Sequence, residues 1–422
     1  MMVSATSASS PLQKKPGIAE AASFAAMREL RVLQVFSVLG MGGAETWLLS
    51  LLRYFRETQD QLKVKFDILL TGGQKDVLDE EAIALGARLF YVPFTRRNSI
   101  GFTREFRSIL ASGNYDAIHD HQDYIAGLHF LMGAGHLPPV RIAQIHNPLY
   151  HRAKYANGLG RRVANSAGKR LLAHLATHVM GTSREIVTEY GFDDSSFGDV
   201  ALGAAHCGFD VTKYRGDCTS THAELCRELG WVESAKIILF VGRLDGAAVV
   251  HQGQMMTHKN PAFALSVARE CIARDPTIRL VMVGSGETMR RELESRVKEG
   301  GLDQKIRLLG VRSDVARLML GSNLLLFPSL AEGLGMVVVE AQAAGLRVLA
   351  SDTTPRECVV IDGMVKFLPL SESSKRWAEE ALRLINLHRP NVNECNAMLG
   401  DSSFSIENSA ARLLSLYCDF TH

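Results

Sequence analysis

The chain of 422 residues holds no apolar run that approaches the ~20 residues needed to span a bilayer, so a transmembrane helix is excluded. Residues 1–25 lack the apolar core of a secretory signal. They are rich in Ser, Ala, Lys and Pro and read as a disordered tail. The seven cysteines (Cys207, Cys218, Cys226, Cys271, Cys358, Cys395 and Cys418) are odd in number and include no C-x-x-C pair. That excludes a disulfide framework and a zinc site, and suits reduced thiols in the cytosol. There is no excess of one charge: 47 Lys and Arg against 45 Asp and Glu leave +2, which gives no global footprint for nucleic acid. No Ser-His-Asp or Cys-His arrangement has a recognisable local signature, so covalent catalysis has no support. The glycine-rich stretch Gly40-Met-Gly-Gly-Ala-Glu45 is not G-x-G-x-x-G, which argues against a nicotinamide site.

What is present is a long alternation of strand and helix patterns, with length enough for two or three full cores. Strands are expected at Arg31–Ser37, Phe66–Thr71, Arg88–Val92, Ala117–His119, Val140–Ile145 and His178–Gly181. Helical patterns intervene at Gln74–Leu85, Thr103–Ser112, Asp123–Met132 and Arg161–Leu175. The alternation breaks near Gly208–Tyr214, passes a polar stretch from Arg215 to His222, and starts again. Further strands are expected at Lys236–Val241, Ile278–Val283, Ile306–Leu309, Leu324–Phe327 and Val348–Ser351. Each half reads as a doubly wound parallel sheet, which binds ligands at the carboxyl ends of its strands. The expected division is a tail over 1–28, a first domain over 29–210, a second over 211–403, and a terminal helix over 404–422.

One stretch organises the rest: Ser329-Leu-Ala-Glu332-Gly-Leu-Gly-Met-Val-Val-Val-Glu340-Ala-Gln-Ala-Ala-Gly345. It follows a buried strand, turns on Gly333 and Gly335, and enters a helix, whose N-terminus favours anions. Glu332 before the turn and Glu340 inside the helix can reach opposite ends of a ligand. Carboxylates accept well from paired sugar or ribose hydroxyls. On residue types alone, an ordinary glycine turn explains the stretch about as well as a ligand site does.

The frame Phe-Pro-Ser-x-x-Glu-Gly, with Glu332 and Glu340 eight apart and Ala-x-Ala-x-Gly after, resembles the signature of the family 4 retaining glycosyltransferases, and within them the capsular and exopolysaccharide enzymes. The resemblance implies a GT-B fold, two Rossmann-like domains facing across a cleft, with the acceptor on the first and a nucleotide sugar on the second. It implies that Arg243 and Lys259 clamp the pyrophosphate, with Asp245–Thr257 between them as a loop insertion at the cleft. Glu332 would hold the donor sugar and Glu340 the ribose, and Gly335 and Met336 would lend backbone N–H groups to phosphate. The base would pack near Val311, within Leu309–Arg312. Gly42 and Gly43 would approach the phosphates, and His146 would reach the transferred sugar. His121 is expected as a further substrate contact. The terminal helix would cross back to the first domain. No Asp-x-Asp occurs, so the diphosphate is expected to be held by cations and helix ends without metal. No resident cofactor is implied; the nucleotide sugar, UDP by default, is a co-substrate.

The expected activity is transfer of a sugar, with retention, to a saccharide or lipid-linked saccharide of a surface polysaccharide. A GT-B sugar-nucleotide epimerase and a non-catalytic carbohydrate-binding protein are the alternatives. The stretch from His151 to Arg170 carries Arg152, Lys154, Arg161, Arg162, Lys169 and Arg170 and no acidic residue. It reads either as a solvated helix face or as a dock for anionic lipid, on a protein expected in the cytoplasm and peripherally at the membrane.

Overall fold

The computed structural model describes residues 18–148, 159–192, 198, 200–245, 248–251 and 254–420. The first sheet is built from β1 (Leu30–Phe36), β2 (Val64–Leu70), β3 (Arg88–Tyr91), β4 (Ala117–Asp120), β5 (Val140–Ile145), β6 (His178–Gly181) and β7 (Ala201–Ala204). Its order is β3-β2-β1-β4-β5-β6-β7, and every pairing is parallel. After the crossover come β8 (Lys236–Val241), a hairpin of β9 (Ala248–His251) and β10 (Gln254–Thr257), then β11 (Ile278–Val283), β12 (Ile306–Leu308), β13 (Leu324–Phe327), β14 (Val348–Ser351) and β15 (Val365–Leu368). The second sheet runs β12-β11-β8-β13-β14-β15, again parallel throughout. The two sheets are the expected pair of doubly wound domains. In each, the winding reverses beside the first strand: between β1 and β4, and between β8 and β13. The crevice at such a reversal is where ligands bind.

Central strands buried on both faces account for the apolar runs. Along β1, Leu30, Val32 and Phe36 enter one core with Trp47 and Leu48 of the Gly43–Glu57 helix. Leu33 and Val35 enter the opposite core with Phe102, Phe106 and Phe130. Gln34 falls on the first of these faces, where the period of two would place an apolar side chain, and it is 1% exposed. A buried amide in that position needs partners, and these belong to the site described below.

The terminal helix Ile406–Tyr417 crosses back to the first lobe. Leu413, Leu414, Leu416 and Tyr417 lie in the same core as β1. Two strands of chain pass between the lobes side by side, joined where Phe209 N–H donates to Phe404 O (3.0 Å) and Ile406 N–H to Phe209 O (3.0 Å). A second link is electrostatic. Glu357 of the second lobe accepts from the backbone N–H groups of Arg184 (2.7 Å) and Glu185 (3.2 Å), and lies 3.2 Å from His206 Nε2. It thereby caps a first-lobe helix from outside its own lobe.

Three expectations need correction. The tail assigned to 1–28 contains a helix at Ile18–Met27, where Ala21 and Ala25 are buried and Phe24 packs at 5.6 Å against Phe420. The partner of that helix is the far end of the chain, so the local composition carried no sign of it; residues 1–17 lie outside the described residues. The insertion between Arg243 and Lys259 contains an antiparallel hairpin rather than a plain loop. The helix expected at Gln74–Leu85 is confined to Asp79–Ala84.

Candidate active site

Arg243 follows β8, and Pro328–Gly335 follows β13, so both emerge at the reversal point of the second sheet. Lys259 is sixteen positions from Arg243 in sequence. The hairpin returns the chain so closely that a Cβ on Gly242 would lie 3.2 Å from Lys259 Cγ. Lys259 Nζ stands 5.1 Å from the centre of the Phe327 ring and 2.5 Å from Glu332 Oε1. Ser329 Oγ donates to the same carboxylate oxygen. Ser329 Oγ also lies 3.0 Å from His258 O, and Leu330 N–H donates to that oxygen at 2.6 Å. The Glu332 loop is therefore pinned to the segment that carries Lys259.

Gly335 caps the Met336–Ala343 helix with φ +89°, a backbone conformation that favours glycine. Met336 is half-buried and packs against the main cores of both lobes. Glu340 projects from this helix toward Tyr214 at the lobe crossing. Burial pushes its carboxyl up to about 7, against the opposing hydrogen bond from the Tyr214 hydroxyl. Val311 is exposed beside β12, whereas Arg312 is tied to Asp314 and Glu228. The N-terminus of the Glu287–Glu299 helix is already used, since Asp245 accepts from Thr288 N–H (3.2 Å) and Met289 N–H (2.8 Å).

Across the cleft, Gly42 and Gly43 open the Gly43–Glu57 helix, and Glu45 in its first turn carries a carboxyl raised by burial and lowered in part by the facing charge of Arg243. His146 follows β5. Its N–H donates to Asp123 Oδ1 at 2.8 Å, its Nε2 lies 2.9 Å from His121 Nδ1, and burial depresses its ring to about 4. The lobes meet here: a Cβ on Gly333 would lie 2.1 Å from His146 O, and Ser183 Oγ donates to Gly333 O at 2.8 Å. Beside this contact a cavity of about 380 Å³ is lined by Pro148, Glu185 and Glu189 on one side and Leu330, Glu332 and Pro355 on the other.

Residues 235–387 match the family described as glycosyl transferases group 1, and residues 41–195 match glycosyltransferase family 4. The chain belongs to these glycosyltransferases. It is 29% identical over 391 residues to a protein assigned as a glycosyltransferase, EpsF of Bacillus subtilis (strain 168), covering 92% of this chain and 96% of that one. The structure of Anabaena Alr3699/HepE in complex with UDP and glucose superposes with a TM-score of 0.66 at 16% identity, over 91% of this chain and 98% of that one. A Rickettsia africae ESF-5 glycosyltransferase gives a TM-score of 0.70 at 15% identity, over 93% and 99%. The fold of this glycosyltransferase is GT-B.

The structure brings Arg243, Lys259, Glu332, Gly335 and Met336 to one crevice and sets Gly42, Gly43 and His146 opposite. It does not place His121 as a substrate contact. That ring is 8% exposed, engaged through both nitrogens by Gln34 and His146, and stacked at 4.1 Å on Phe36. Of the basic stretch, Arg152 and Lys154 lie outside the described residues. Lys169 lies 5.3 Å from the centre of the Phe192 ring, while Arg162 and Arg170 are exposed. Sequence reasoning missed Tyr214, Gln34 and Tyr417, and took Gly333 for a turn residue without its contact to His146. Only Gln34 left a trace, as a polar residue inside an apolar strand.

Proposed function

We propose that this glycosyltransferase takes the sugar of a nucleoside diphosphate sugar, UDP-linked, and passes it with retention to a hydroxyl of a saccharide or lipid-linked saccharide in surface polysaccharide synthesis. The observation that carries the reading is the return of Lys259 to Gly242. It puts two cations, a carboxylate and a helix N-terminus at the reversal point of the second sheet, where a pyrophosphate has a binding site.

In this reading Arg243 and Lys259 neutralise the leaving diphosphate as its charge grows, without a metal ion. Glu332, oriented by Lys259 and Ser329, accepts from donor-sugar hydroxyls, and Glu340 accepts from the ribose. Gly335 and Met336 offer backbone N–H groups to phosphate, Gly42 and Gly43 close from the other side, and Val311 borders the base. His146 contacts the transferred sugar. The acceptor hydroxyl attacks from the face the diphosphate leaves, and the departing phosphate oxygen takes its proton. The cavity carries Glu185, Glu189 and Glu332, which accept from hydroxyls and repel phosphate, so it receives the sugar end of the acceptor.

A thermal-shift screen of UDP, GDP and ADP should show UDP alone raising the midpoint, because a ligand bound only by the native state stabilises it. With UDP-glucose, the product anomer read by NMR should match the donor, and EDTA should leave the rate unchanged. An inverted product, or loss of activity in EDTA, overturns the mechanism. If the acceptor is lipid-linked, Arg162 and Arg170 serve as exposed cations toward anionic headgroups, each contributing about 1 kcal/mol. Co-sedimentation with anionic vesicles should then fall with salt and with Arg162→Gln/Arg170→Gln. Sedimentation indifferent to both leaves a soluble acceptor.

A further inference from the structure

Beneath His146 lies a line of buried polar side chains that the transfer chemistry does not use. It begins at Ala205, whose carbonyl can only accept. Gln144 Nε2 donates to it at 3.0 Å, which turns Gln144 Oε1 the other way. That oxygen is buried with no hydrogen-bond partner, and so is Nε2 of His119. His119 Nδ1 lies 2.9 Å from the Tyr417 hydroxyl. Gln34 Nε2 donates to the same hydroxyl oxygen at 2.9 Å, and Gln34 Oε1 lies 2.7 Å from His121 Nε2. His121 Nδ1 lies 2.9 Å from His146 Nε2.

The direction of this line follows from the Gln34 amide, whose nitrogen faces Tyr417 and whose oxygen faces His121. The Tyr417 hydroxyl oxygen accepts from Gln34 Nε2–H, so its own proton turns to His119 Nδ1, which leaves the ring proton of His119 on Nε2. Gln34 Oε1 therefore accepts from His121 Nε2–H, which leaves His121 Nδ1 as an acceptor, and the proton between the last two rings belongs to His146 Nε2. We infer that this one-way chain of hydrogen bonds holds His146 as its Nε2-protonated tautomer, leaving Nδ1, which has no hydrogen bond among the described residues, as an acceptor. His119, Tyr417, Gln34 and His121 are thus positioning residues, and Tyr417 is supplied by the helix that returns from the second lobe.

The tautomer follows from the geometry alone; its consequence for transfer rests on the proposed contact of His146 with the sugar. An imidazole fixed this way accepts from a sugar hydroxyl and cannot donate to one through Nδ1. Imidazole 15N shifts, read by long-range 1H–15N correlation on the full chain, test the inference directly. His146, His121 and His119 should each show a single Nε2-protonated form. An Nδ1-protonated or averaged His146 in the wild type overturns the proposal without any variant. Tyr417→Phe keeps the ring and removes the link between His119 and Gln34. It should give His146 a mixture of tautomers and lower UDP-glucose hydrolysis about fivefold, the scale of one mispaired hydrogen bond, with UDP affinity unchanged. A wild-type His146 spectrum in that variant also overturns it. The expected spectra together with wild-type turnover uphold the tautomer and remove His146 from the substrate contacts.

Discussion

Gly333→Ala is expected to cut turnover by about a hundredfold while both lobes stay folded, since a misplacement of about 1 Å at a reacting centre is enough for that. The new methyl would sit 2.1 Å from His146 O and 2.9 Å from Thr182 Oγ1. Neither neighbour can retreat easily. His146 leaves a central strand with its N–H bonded to Asp123, and Thr182 N–H is bonded to Ile145 O at 3.0 Å. The relief is for the Glu332 loop to back away, which parts the two halves of the site. Arg243 and Glu340 belong to the lobe that moves as a unit, so UDP affinity should change little. Steady-state turnover and UDP calorimetry measure the two quantities, and small-angle scattering should report a wider particle. A variant with wild-type turnover would show that the Gly333–His146 approach is not part of the working state.

The second large effect concerns Glu340 and pH. Its carboxyl titrates near the ordinary 4.5 when the chain is unfolded and at about 7 in the folded protein, because burial disfavours the charge. The folded state therefore holds the proton more tightly. The stability this confers is fully present below the unfolded value and is lost as pH rises through about 7. Glu340→Gln, neutral at every pH, should match the wild type near about pH 5 and exceed it near about pH 8, by up to about 3 kcal/mol. Thermal or urea midpoints at both values test this; an equal difference at both removes the burial argument. Binding should move in the opposite sense. The ionised carboxylate is the better partner for two ribose hydroxyls, so wild-type UDP affinity should rise as pH passes about 7. The Gln variant should lose about 1.5–3 kcal/mol of nucleotide binding at the upper end. Equal affinity in the two proteins at about pH 8 would take the ribose away from Glu340.

The parts legible in the sequence are those fixed by local pattern. β1, β5, β8 and β11 are apolar runs bounded by turns, and the glycine frame from Ser329 to Gly345 carries its residue types at fixed offsets. Two of the four edge strands were not legible. Ala201–Ala204 and Val365–Leu368 are half-buried four-residue strands that need a neighbour to define them. The hairpin did leave a signal: Gln252-Gly253 separates two short runs with valines and methionines, a two-residue spacing typical of hairpins. The support beneath His146 left only Gln34, a polar residue in an apolar strand, because its contacts join residues far apart. Gln34 and Tyr417 are 383 positions apart in sequence, and no periodicity spans that distance. His121 was misplaced for the same reason: the strand end was visible, but the side chains already occupying both ring nitrogens were not.

The returning helix also bears on synthesis. When the ribosome has released the first 210 residues, all seven strands of the first sheet are outside, yet the face that Leu413, Leu414 and Tyr417 will cover is bare, and Gln34 and His119 lack a hydroxyl. The second lobe, whose core draws on residues from Phe209 to Phe404, needs nothing from the last turn of the chain. The lobe made first is thus the lobe finished last. The nascent protein carries an open apolar face until Ile406–Tyr417 emerges, and a chain cut short before Ile406 would never seal it.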